Sequence, residues 1–94
     1  MTSSERIPSP LPRPVAHVVA RRLKDAGVLV NLRTNDILEL NHTGMRVWEL
    51  LEEATSVSDV VSHLMHEFDI EHDVAHRDTL DILGRFEAHG VVSP

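Results

Sequence analysis

Apolar residues recur along the chain at two different periods, and the change falls near residue 41. Between His17 and Leu40 the period is two. His17 to Leu23 is rich in Val and carries Arg21 and Arg22 near its end; Val28, Val30 and Leu32 alternate with Leu29, Asn31 and Arg33; Ile37, Leu38, Glu39 and Leu40 form a short third run. The segments between them, Lys24-Asp25-Ala26-Gly27 and Thr34-Asn35-Asp36, are turn chemistry, with Gly27 available for a positive φ. Loops this short force an antiparallel meander. A third strand that leads straight into a helix is expected to keep one edge free.

From Asn41 onward the period is helical. Asn41 or Thr43 caps a first helix over about residues 44–54, with Gly44, Val47, Trp48 and Leu51 on one face. Ser56 with Asp59 resembles a capping box, and Val57, Val60, Val61, Leu64, Met65 and Phe68 make a clean stripe on a second helix. A third helix runs from about Asp73 to His89, with Ala75, Thr79, Ile82, Leu83 and Phe86 on one side and Gly90 placed as its C′ residue. Gly84 inside it is either a tolerated surface glycine or a place where another chain comes close. Three antiparallel strands followed by three helices make an α+β domain over residues 15–94. Pro8, Pro10, Pro12 and Pro14 fall at alternate positions, so residues 1–14 are expected to be an extended, poorly ordered tail.

Composition narrows the function more than the fold. A chain of 94 residues holds one small core and leaves little room for a large catalytic pocket. The chain lacks Cys, so disulfides, thiolate metal sites and Cys nucleophiles are excluded. No apolar run approaches the roughly 18 residues of a membrane span, and a secretory apolar stretch is missing, so a cytoplasmic location is expected. The net charge of −6 is unevenly spread: residues 1–48 carry seven Lys/Arg against four Asp/Glu, residues 49–94 two against eleven. An acidic helical half argues against nucleic acid, whose phosphates call for cations on the element entering the groove.

Chemistry-bearing constellations are weak. His63 and His66 are three apart and His72 and His76 four apart, but neither pair has the further ligands of a zinc site, and solvated surface histidines describe both better. No Ser/His/Asp order stands out and no glycine-rich phosphate loop exists. Trp48 lies on the apolar stripe and is read as core. Neither a cofactor nor a metal site is expected, and no catalytic residue is assigned.

One resemblance is specific. The run Leu40-Asn41-His42-Thr43-Gly44, followed by Val47-Trp48-Glu49-Leu50-Leu51, and the later Asp78, Ile82-Leu83, Phe86 and Gly90-Val91 resemble the PqqD family. These are small recognition elements for precursors of ribosomally made, post-translationally modified peptides. The resemblance covers about residues 16–92. It implies a winged helix-turn-helix that is not an enzyme and that binds the leader segment of a precursor peptide. In the family the leader adds as a strand beside the third strand and lies against the third helix. That maps the peptide-binding residues to Asp36, Ile37, Leu38, Glu39 and Leu40 on the strand, and to Ala75, Asp78, Thr79, Ile82 and Arg85 on the helix. Asp78 matches a recurrent acidic position of the family, although read locally it is a helix-surface carboxylate. Thr79 departs from the commoner apolar choice.

The run Thr43-Gly44-x-x-Val47-Trp48 is most similar to the recognition subunits of lasso-peptide systems, which implies a leader peptidase and a cyclase as partners. A radical-SAM peptide-modifying enzyme is the nearest rival. A DNA-binding winged-helix regulator is the alternative from another class. Neither nucleic acid nor membrane is an expected partner, and the chain is expected to be a monomer or weak dimer, since an unpaired strand edge invites self-association.

Overall fold

The computed structural model describes residues 11–54 and 56–93. Strand β2 (Val18–Leu23) pairs antiparallel with β3 (Ala26–Asn31), and β3 with β4 (Asp36–Leu40), in the order β2-β3-β4. Helices α1 (His42–Leu50), α2 (Val57–Phe68) and α3 (His72–Ala88) follow. A second ladder of two residues per strand joins β1 (Arg13–Pro14) to β5 (Val92–Ser93). The α+β fold is therefore the expected one, with this small ladder added.

The ladder revises the expected tail. Leu11 is buried in the core, and Val15 donates its N–H to the Val91 carbonyl at 3.0 Å. Residues 11–14 thus belong to the folded unit; the rest of the expected tail lies outside the described residues.

The turns obey the expected chemistry with different residues. Lys24, not Gly27, takes the positive φ (51°) in a two-residue hairpin loop. Gly27 sits within β3, where a Cβ would collide with the sulfur of Met45 on α1. Its role is to let α1 approach the sheet closely. In the second turn Asn35 adopts φ 65°. Asn31 closes that turn by accepting N–H bonds from Arg33 and Thr34, at 3.0 and 3.3 Å.

Asn31 also explains the phase of β3. Its amide nitrogen donates to the carbonyls of His89 and Gly90 at 3.4 and 3.3 Å, so the polar residue is buried with its partners supplied. The core-facing row is therefore Gly27, Leu29 and Asn31, while Val28 and Val30 lie on the other face and Leu32 falls in the turn. That outer face aligns Val19, Val30 and Ile37 across the three strands.

Helix ends follow the capping chemistry. The Asn41 side chain accepts from the Gly44 N–H at 2.8 Å, and Ser56 Oγ from the Asp59 N–H at 3.1 Å. The first helix stops at Leu50, short of the expected residue 54. At the end of α3, Gly90 (φ 68°) donates to Glu87 and Val91 to Phe86, a Schellman closure that turns the chain back into β5. Among the described residues, nothing beyond its chain neighbours and its own helix backbone lies within 4 Å of where a Cβ on Gly84 would stand.

Sheet, α1 and α2 are also tied electrostatically. Arg22 of β2 grips Glu49 of α1 with two bonds of 2.8 and 2.9 Å, and Arg46 of α1 grips Glu67 of α2 at 2.7 and 3.0 Å. The hydrogen bonds from Arg22 and from Arg46 hold the Glu49 and Glu67 carboxyls below the ordinary value near 4.5. A carboxyl depressed by folding stabilises above its unfolded pKa and loses that contribution as pH falls through the folded one. The melting temperature should therefore be insensitive to these groups from neutral pH to about pH 5 and should drop below about pH 4.5. Glu49→Gln/Glu67→Gln should melt lower at pH 7 and show a shallower acid limb in a calorimetric pH series; parallel acid limbs would refute the linkage.

Candidate functional site: the free edge of the third sheet strand

The hydrogen-bonding parity of the sheet follows from one bond outside the ladder. Leu32 donates to the His17 carbonyl at 2.9 Å, so Val30, Val28 and Ala26 direct their backbone groups toward β2. Alternation then turns Gly27, Leu29 and Asn31 toward β4, where they meet Leu40, Leu38 and Asp36. The outward-facing backbone groups of β4 are consequently those of Ile37 and Glu39. Their side chains project from the outer face of the sheet, and Ile37 is 60% exposed.

Helix α3 runs beside this edge. Asp78, Asp81, Ile82 and Arg85, with Asn41 and Thr43 at the start of α1, line a groove of about 370 Å³. A second hollow, at the other end of β4, is bordered by Asn31, Asp36 and His89 among others. Two side-chain bonds cross between the walls. Arg85 donates from a terminal guanidinium nitrogen to the Glu39 carbonyl at 3.2 Å, and His89 Nδ1 lies 2.6 Å from Asp36 Oδ2. The Arg85 bond independently confirms that the Glu39 carbonyl faces outward.

The residues named from the sequence divide accordingly. Asp78, Ile82 and Arg85 come together on the groove, and Asp36, Ile37 and Glu39 form the accessible part of the edge. Leu38 and Leu40 bury their side chains in the core and turn their backbone groups toward β3. Ala75 and Thr79 are wholly buried; the Thr79 hydroxyl is satisfied by the Ala75 carbonyl at 2.7 Å. Neither presents surface to a ligand here. Asn41, Thr43 and Asp81 also border the groove, although the sequence mapping assigns none of them to peptide binding. For Asp81 the signal was available, since it precedes Ile82 and lies four residues before Arg85.

Among the described residues no cluster of three or more His, Cys, Asp or Glu is placed to hold a metal ion. His72 and His76 stack their rings 5.8 Å apart. No helix among the described residues is long and apolar enough to cross a membrane.

The family model for Coenzyme PQQ synthesis protein D (PqqD) matches residues 26–92, which include all of β3, β4 and the three helices. The chain belongs to the PqqD family. Two solved structures share the fold. TbiB1 in complex with the TbiA(beta) leader peptide superposes with a TM-score of 0.76 at 26% identity, over 85% of this chain and 93% of that one. Lasso peptide synthetase B1 complexed with the leader peptide gives a TM-score of 0.77 at 23% identity, over 88% and 98%. A comparison with curated protein sequences gave no match.

Proposed function

We propose that this PqqD-family chain is a non-catalytic module that captures the leader segment of a ribosomally made precursor peptide by strand addition on β4. It then presents that peptide to the enzymes that modify it. The observation that carries this reading is the juxtaposition of an unpaired strand edge with a groove on α3, in a family member similar to a protein seen with a leader peptide. Main-chain bonds to Ile37 and Glu39 supply general affinity, and side chains of the added strand that point toward α3 meet Ile82, Asp78 and Asp81.

A lasso-peptide pathway, with a leader peptidase and a cyclase as partners in the cytoplasm, is favoured by the Thr43-Gly44-x-x-Val47-Trp48 run. A radical-SAM partner is the second reading, favoured by the family's own description. A DNA-reading role fits α3 poorly. It carries Arg77 and Arg85 against Asp73, Asp78, Asp81 and Glu87, and Arg85 is already engaged.

Isothermal titration with the leader half of the precursor peptide encoded beside the gene, at two salt concentrations, tests the reading. Saturable binding at one peptide per chain with little salt dependence is expected. Failure to bind the leader, with strongly salt-dependent binding to duplex DNA, would overturn it in favour of a regulator.

A further inference from the structure

The free edge of β4 is not fully free. Of its four outward backbone groups, the N–H and C=O of Ile37 and of Glu39, one already has a partner among the described residues: the Glu39 carbonyl accepts the Arg85 guanidinium. Any strand that adds to this edge in antiparallel or parallel register needs that carbonyl as an acceptor for its own N–H. The oxygen has two lone pairs, so the conflict is over space: the guanidinium stands on the outward side of the Glu39 carbonyl, along the line on which the N–H of an incoming strand must approach. Arg85 also has somewhere else to go. Asp81 lies four residues earlier on the same helix and on the same groove, in the order, acid before base, that favours an i,i+4 pair. Among the described residues Arg85 and Asp81 are not paired; Arg85 is bonded to Glu39 instead.

We propose that Arg85 is an intramolecular placeholder on the strand-addition edge, a specificity residue that leaves the Glu39 carbonyl for Asp81 when a suitable peptide strand arrives. The inference rests on the leader-binding reading and adds a selection rule to it. The peptide residue opposite the Glu39 carbonyl must bring an N–H, so a proline at that position cannot displace Arg85. Unselected strands, including the edge of a second copy of this chain, are opposed by the same contact. This gives a groove built for peptide capture a physical means of limiting edge-to-edge association.

The proposal makes two single substitutions act in opposite directions. Arg85→Met keeps the apolar stem and removes the competitor, so it should tighten leader binding by about three- to tenfold. Asp81→Asn removes the destination of the displaced guanidinium, so it should weaken binding by about two- to threefold. In the Arg85→Met background Asp81→Asn should weaken binding less than in the unsubstituted chain, because no guanidinium remains to be received and only the direct contact of Asp81 with the peptide is left. A purely structural or generally electrostatic role for these residues does not produce that pattern.

The measurement is isothermal titration of the four proteins with the leader peptide defined above, alongside the carbonyl carbon shift of Glu39 in the free proteins. Loss of the hydrogen bond in Arg85→Met should move that shift. Weaker or unchanged binding by Arg85→Met, equal effects of Asp81→Asn in both backgrounds, or an unmoved Glu39 carbonyl would each overturn the placeholder. If the unsubstituted chain itself fails to bind the leader, the leader-binding reading falls and the selection rule with it. The Glu39 shift still decides whether the contact exists.

Discussion

Phe86→Ala should cost about 3–5 kcal/mol of folding stability, enough to remove much of the stability of a domain this small. Phe86 has no exposed surface and its ring meets Trp48 edge-on, with centroids 5.4 Å apart and planes at 84°. That pair joins α3 to α1 in the centre of the core. Truncation leaves a cavity bordered by helix residues that are themselves fixed by the sheet, so collapse around the vacancy is limited. Chemical denaturation should show a lower midpoint, and the double variant with Trp48→Ala should lose less than the sum of the two single losses, because the two rings share one contact. Additive losses would mean that the edge-to-face packing carries no energy of its own. The prediction separates the core from the groove, since Phe86 lies about a quarter turn around α3 from Asp78 and Arg85 in helical phase and is wholly buried.

Much of this fold is legible in the sequence because its helices are locally consistent. Asn41, Ser56 and Gly90 each mark a helix end by a mechanism that operates within a few residues, and the structure uses all three. The sheet is harder for a physical reason. Val28, Leu29 and Val30 are all apolar, so a period of two cannot say which of them faces inward. The decision is made by Asn31, whose amide is buried because α3 ends where its carbonyls can receive it, across 58 and 59 positions of sequence. A contact of that range leaves no local pattern. The same holds for Leu11 and the β1–β5 ladder: a segment dense in proline reads as a tail, and its partners, the distant Val92–Ser93 strand and the carbonyls of Val91 and Leu51, lie far along the chain.

The candidate site was legible in outline and blurred in detail for a related reason. Which residues share the face of a helix can be read from spacing, and Asp78, Ile82 and Arg85 do line one groove. Whether a position on that face is groove or core depends on what packs beside it, and Ala75 and Thr79 are covered completely. On the strand the difficulty is direction. Side-chain face and backbone direction alternate together along a strand, but hydropathy shows only which side chains face the core and not which side of the strand lacks a neighbour. The five residues of β4 therefore looked equivalent as an edge, whereas the pairing register leaves only Ile37 and Glu39 to serve an added strand.

That register makes Ile37→Pro and Leu38→Pro opposite experiments on neighbouring residues. Proline at 37 removes an N–H that points away from the sheet and replaces a side chain that is 60% exposed, so the fold should survive with a small loss of stability. It should also abolish detectable leader binding. The edge would lose one of two donors, and the pyrrolidine ring would occupy the line along which the added strand must approach. Proline at 38 removes an N–H that pairs with Leu29 inside the sheet and exchanges a buried leucine for a smaller ring, so it should unfold the domain or leave it poorly structured. Circular dichroism melts together with leader titration read both effects. A folded Ile37→Pro protein that still binds the leader with unchanged affinity would mean that the peptide is held by the α3 groove without joining the sheet. Strand addition would then be the wrong mechanism for this chain, even if the leader were the right ligand. A stable, binding-competent Leu38→Pro protein would instead show that the pairing parity is reversed, with Leu38 rather than Ile37 and Glu39 facing the incoming strand.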